Sequence, residues 1–189
     1  ENKIIQALTD FLDKANKVAK KRAIKVNDEG RALKVRQEDI LNTAKILYNL
    51  EEGQRVIVTL VARVNVSQNE WLAANFVYNI NKIVFHKQEL IASRKINAEL
   101  SPVKIEKELR SLLENVNQKA IKNGLLTDIQ NRVVDINYSQ FYEVQDQIEN
   151  KKGIIELKVY AVKDIWREDN LNSTNLKFTI SSTGEKADE

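Results

Sequence analysis
The run QRVIVTLVARVNVS, Gln54 to Ser67, is the strongest constraint on the fold. Val56, Val58, Leu60, Ala62, Val64 and Val66 alternate with their neighbours, so all six fall on one side of an extended chain. The opposite side opens apolar, with Ile57 and Val61, and closes polar, with Arg63 and Asn65. Such a strand needs a sheet covered on one face along its whole length and on the other only near its start.

Helical periods flank it. KIIQALTDFLDKANKVAKK, residues 3–21, places Ile4, Ile5, Leu8, Phe11, Leu12, Ala15, Val18 and Ala19 on one stripe. No Ser, Thr, Asp or Asn opens this segment decisively as a cap, so helix 3–21 reads either as the continuation of a helix from upstream, which the resemblance given below would make a coiled coil, or as a helix whose stripe packs on this domain. RAIKV and RALKV predict two short strands joined at a turn in NDEGR, where Gly30 is free to take positive φ. QEDILNTAKILYNL predicts a second helix, with Ile40, Leu41, Ala44, Leu47 and Tyr48 on one face and Gly53 as its stop.

Further strands are predicted in NFVYNI and in ELIASRKI, with a turn or bulge near Asn81 and Lys82, where the apolar phase shifts by one residue. The best-bounded helix runs from Ser101, as cap, and Pro102, at the first helical position, to Gly124 as a left-handed stop. Then come a strand in RVVDINY, a helix in SQFYEVQDQIENKKG and a cleanly alternating strand in IIELKVYAV. DIWREDNLNST reads as a polar loop carrying Trp166, NLKFTI as a last strand, and residues 182–189 as a disordered tail. No repeat of fixed period stands out and no Gly/Ser/Pro linker divides the chain. Residues 1–181 therefore read as a single α+β domain, with a mixed, mainly antiparallel sheet or sheets and three to four helices packed against them.

The residue inventory removes much chemistry. No cysteine is present, which excludes disulfides, thiolate metal sites and cysteine nucleophiles. The five glycines lie far apart, as punctuation, and build no phosphate-binding loop. His86 is the only histidine and has no partner at ligand or catalytic spacing, so it reads as a turn residue. EDNLNST is acidic but lacks calcium-loop spacing. Asp135 and Glu156 alternate with apolar neighbours and are expected to face solvent. The sequence thus predicts no catalytic residue, no metal site and no cofactor, and a non-enzymatic domain, with an uncharacterised hydrolase using a Ser-Lys pair as the lesser alternative. Nothing approaches about 18 consecutive apolar residues, so no membrane span is predicted. The chain starts at Glu1 and has no methionine, which reads as a segment matured or cut from something longer.

Charge is uneven. Residues 1–36 hold ten Lys/Arg against five Asp/Glu, a net of +5, and the remainder nets −2. Lys17, Lys20, Lys21, Arg22 and Lys25 form the one candidate surface for an anion, a nucleic acid or another partner. No aromatic residue lies between Lys14 and Arg36, which counts against single-strand nucleic-acid binding.

Ala15-Asn16 in the first helix, Glu89-Leu90-Ile91-Ala92 after an apolar strand and basic turn, and Lys122-Asn123-Gly124 closing a helix carry a resemblance. The chain resembles the C-terminal globular domain of an uncharacterised bacterial family. Its members have two membrane helices near the N-terminus, then a long coiled coil, then this domain. Gln88 stands where the family pattern has glycine. The resemblance implies no established activity. It implies a domain displayed at the extracytoplasmic face of the cytoplasmic membrane. The expected function is protein interaction or assembly, with homo-oligomers formed through the upstream coiled coil. An anion- or nucleic-acid-binding module built on the basic cluster is the alternative, with a cytoplasmic location as the alternative address.

Overall fold
The computed structural model describes residues 2–22, 24–67, 70–127 and 132–182. Their contacts divide the chain into two compact units, Glu1–Asn81 and Lys82–Glu189, inside the span that the sequence presents as one domain. The fold class is α+β, with four helices and mainly antiparallel strand pairs.

The first unit runs α1 (Asn2–Lys21), β1 (Leu33–Lys34), α2 (Gln37–Tyr48), β2 (Val56–Ala62) and β3 (Leu72–Ile80). β2 and β3 pair antiparallel, from Val56 opposite Ile80 to Ala62 opposite Ala74. β1 lies parallel to the start of β3, giving the order β1-β3-β2. Small residues make the core: Ala19, Ala32, Ala44 and Ala74 are buried, with Leu8. Asn16 ties α1 to the sheet, its side-chain oxygen accepting from the amides of Ala32 (2.6 Å) and Leu33 (3.3 Å). α2 starts beside an ion pair in which the Arg36 guanidinium meets both oxygens of Asp39.

Several local expectations fail here. The described part of RAIKV, Ile24–Val26, is not a strand: the Ile24 and Lys25 amides are spent on Ala19 and Glu70 carbonyls. RALKV is no hairpin partner either, because β1 turns to β3. The hairpin-like turn itself is present, with Gly30 at φ +72°. α2 ends at Asn49, ahead of Gly53. β2 stops at Ala62, and its expected buried face is only half covered: Val58 and Leu60 are intermediate and Ala62 and Val64 are exposed.

The second unit runs β4 (Ile83–Phe85), β5 (Leu90–Asn97), α3 (Pro102–Asn123), β6 (Val134–Asp135) and α4 (Tyr138–Glu149). It continues with β7 (Ile154–Ala161), β8 (Ile165–Trp166), β9 (Leu171–Asn172) and β10 (Leu176–Ser182). β7 is the centre of an antiparallel sheet ordered β10-β7-β5. α3 keeps its expected bounds: Pro102 opens it and Gly124, at φ +103°, closes it. Ser101 holds the cap position without a side-chain cap bond. Asn137 caps α4 in fact, its side chain accepting from the Gln140 amide at 2.8 Å. The loop with Trp166 contains β8 and β9, and Ser181 and Ser182 belong to β10. The rest of the expected tail, 183–189, lies outside the described residues. The core is deep, and Ile105, Leu112, Val116, Ile148, Ile155, Leu157 and Val159 are all 0% exposed.

The two units repeat one plan, which the sequence reading missed. Each has a long helix, a two-residue strand, a twelve-residue helix and a strand pair. Asn117, 101 residues after Asn16, accepts from the Val133 amide at 2.9 Å, so both asparagines reach sixteen residues ahead. Ile24 and Leu125 both donate to the alanine five residues back, Ala19 or Ala120. Lys25 and Leu126 both donate to the strand-pair connection, at Glu70 or Arg167. β6 pairs parallel with β9 as β1 does with β3. Lys3/Lys104, Ile4/Ile105, Leu8/Leu109, Leu12/Leu113, Asn16/Asn117 and Ala19/Ala120 are identical pairs. The repeat is inconspicuous because it occurs only twice and its other core positions change size, as with Ala32 against Val133.

Candidate functional site
The basic cluster does not assemble into one pocket. Lys17, Lys20 and Lys21 are exposed on α1. The Lys25 ammonium sits over the Trp71 ring, 5.2 Å from its centre. The fold thus supplies the aromatic that the local sequence lacks, from a segment too distant for any sequence window to pair with Lys25. Arg22 lines a groove in the first unit.

That groove, of about 750 Å³, lies between α1 and β2. Phe11, Ala15 and Val18 face Val58, Leu60 and Ala62 across it, and Arg22 is the one charged residue among the described residues of its lining. Its floor is the alternating face that singled out this strand in the sequence. Its open side is a strand edge. The Arg63 amide donates to Ala73, and the Asn81 amide donates to Arg55. In an antiparallel pair the residues that exchange bonds alternate, so odd-numbered residues of β2 spend their backbone groups on β3. The N–H and C=O groups of Val58, Leu60 and Ala62 therefore point away from β3, and no strand pairs with that edge among the described residues.

Other candidates are structural. The His86 side chain is 75% exposed, with Nδ1 3.9 Å from an oxygen of Asp164. Its turn is built by backbone donors: His86 N to Glu89 Oε2, Lys87 N to Asp164 Oδ1, each at 2.8 Å. Gln88, in the glycine place of the resemblance, takes φ +67°, the left-handed conformation that glycine favours. Asp135 is exposed, and Glu156 sits 2.9 Å from the Lys158 ammonium, whose hydrogen bond holds its carboxyl below the ordinary value. The acidic loop spends its oxygens on itself: Asp169 on the Trp166 amide, Asn172 on the Thr174 amide and hydroxyl. Among the described residues no group of three His, Cys, Asp or Glu could hold a metal ion. None of the described helices is long and apolar enough to cross a membrane.

Residues 85–171 match the family model described as a DUF3084-associated C-terminal helical hairpin. The matched stretch lies inside the second unit and contains α3 and α4. No curated protein and no solved structure matches the chain.

Proposed function
We propose that the chain is a non-enzymatic protein-interaction or assembly domain. Its setting is a membrane-anchored coiled-coil protein of the bacterial envelope, with the domain on the extracytoplasmic side and self-associating through the upstream coil. The observation that carries the interaction reading is the apolar groove in the first unit, beside a strand edge that no strand pairs with among the described residues. Apolar floors with a few polar groups at the rim are where ligands and partner segments bind. The envelope setting rests on the sequence resemblance; the matched family model supports an uncharacterised domain and no more. Light scattering coupled to gel filtration tests the assembly part. Association that grows with concentration, in protein carrying its native flanking sequence, supports it, and a strict monomer at high concentration refutes it.

A second reading is anion or nucleic-acid binding through Lys17, Lys20, Lys21, Arg22 and Lys25. The Lys25–Trp71 contact favours it, because stacking rings among cations suit single strands. Its binding must fall steeply with salt. An absence of any shift with DNA, RNA or anionic vesicles at low salt removes it.

A further inference from the structure
A pocket of about 450 Å³ in the first unit lies between the turn Asn27–Arg31, β1 and Trp71. That size suits a small ligand or one unit of a polymer. Asn27 builds the turn, its side-chain oxygen accepting from the Arg31 amide at 2.7 Å. Arg31 and Lys34 supply the cations of the lining, and Trp71, 43% exposed, supplies its aromatic wall. Lys25 stands over the same ring and is not among the described residues of the lining, so the pocket opens on ring surface that Lys25 leaves bare. The Lys20 ammonium reaches the turn as well, 3.7 Å from where a Cβ on Gly30 would stand. The acids nearby compete weakly. Glu29 faces Arg31 at 3.8 Å with the two side chains 71% and 70% exposed, and a pair so exposed contributes little. Glu70 accepts from the Ser67 amide at 2.7 Å.

The repeat shows that the fold does not call for this chemistry. The second unit builds the same parallel pair with other side chains. At the offset of 101 residues, Lys20 answers to Ile121, Lys25 to Leu126 and Lys34 to Asp135; of the pocket's cations only Arg31 has a basic counterpart, Arg132. Leu72 pairs with Leu33 as Leu171 does with Val134, so Trp71 answers to Asn170. Residues 17–34 hold seven Lys/Arg against two Asp/Glu, and residues 118–135 hold three against two. The exposed ring and the cations around it are thus an addition to a plan that stands without them.

Resting on the anion-binding reading above, we propose that this pocket takes a single nucleic-acid strand, one base stacked on Trp71 and the adjoining phosphates on Arg31 and Lys34. An indole face accepts any base, and cations beside it hold the backbone without reading sequence. The guanidinium suits phosphate because its planar fork offers two N–H donors to one anion. Lys20 and Lys25 carry the positive track from the pocket toward α1. A duplex is not the ligand, since its bases are stacked on one another and offer Trp71 no open face.

The probe is a fluorescein-labelled oligothymidylate of about eight nucleotides, titrated into the full chain at low salt and followed by anisotropy. Saturable binding is expected. Trp71→Asn, the side chain that the second unit carries at this place, leaves thermal unfolding unchanged and weakens binding at least about tenfold, the effect of one lost base stack. Trp71→Phe keeps a ring and stays within about threefold of the parent. Lys34→Ala lowers the slope of log affinity against log salt by about 0.7, one phosphate contact on a single strand. Lys151→Ala, exposed in the second unit, changes neither quantity. Thymidine monophosphate binding as tightly as the strand overturns the inference in favour of a free nucleotide. Equal competition by inorganic polyphosphate or phosphatidylglycerol vesicles, with Trp71→Asn without effect, overturns it and leaves the anion reading standing on the basic cluster. No binding of strand, polyphosphate or vesicles defeats both.

Discussion

Asn117→Ala is the sharpest test of how the second unit is held. The Val133 amide is buried in a residue 2% exposed, and it donates to the Asn117 side-chain oxygen at 2.9 Å. Truncation leaves that N–H without an acceptor and out of reach of water. A buried donor left unpaired costs about 1–3 kcal/mol, and the lost amide volume adds to it, so about 2–3 kcal/mol is expected. In a unit near a hundred residues this lowers the melting temperature by roughly 10–15 °C. Asn16→Ala removes the equivalent bond to Ala32 in the first unit, but Asn16 is half-exposed and water can replace it. About 1 kcal/mol is expected there. Each unit holds one tryptophan, Trp71 or Trp166, so urea unfolding followed in Trp71→Phe and Trp166→Phe backgrounds reports them separately. A cost below about 0.5 kcal/mol for Asn117→Ala, or unchanged hydrogen-exchange protection at Val133, refutes the reasoning.

Gln88→Gly stabilises the second unit. The left-handed backbone costs a side-chain-bearing residue about 1–2 kcal/mol, and glycine's extra freedom in the unfolded chain returns part of that. The net gain is about 0.5–1 kcal/mol by urea unfolding read on Trp166, and Gln88→Val loses stability in the same assay. Asp39→Asn lowers the stability of the first unit at neutral pH. The Arg36 hydrogen bond holds the Asp39 carboxyl below its ordinary 3.8, so its contribution is present above that value and lost as pH falls through the lowered one. Thermal unfolding read on Trp71 should show the gap between parent and variant closing as pH falls below the ordinary carboxylate range; a gap constant with pH contradicts the assignment.

The parts legible in the sequence are those that local physics decides. α3 is announced by Pro102 and Gly124, and β7 by strict alternation that ends in full burial on one face. What the sequence hid depends on partners far along the chain. β1 looks like half a hairpin, yet Leu33 pairs with Leu72. Trp71 joins the basic cluster only through the fold, and Asn16 shows its purpose only once Ala32 is brought to it. One signal was available: Lys, Ile, Leu, Leu, Asn and Ala recur at one spacing from Lys3 to Ala19 and from Lys104 to Ala120. A comparison of the chain with itself at long offset would have exposed the repeat.

The edge strands of the two units are guarded differently. Strands with a free edge are normally guarded by charge, proline or bulges, because bare N–H and C=O groups recruit other strands. The second unit follows this rule. β5 lies at the edge of its sheet with Ser93, Arg94 and Lys95 in sequence and a register shift between Leu90 and Ala92. β10, at the other edge, carries Lys177. β2 breaks the rule. Its seven residues, VIVTLVA, hold no charge, no proline and no irregularity in their register with β3. A strand destined for solvent gains nothing from Val58, Leu60 and Ala62 on its groove face, since each leaves apolar surface exposed at about 25 cal/mol per Å². A strand that receives another gains from every one of them. Among the described residues, β2 keeps the apolar face of a central strand in an edge position.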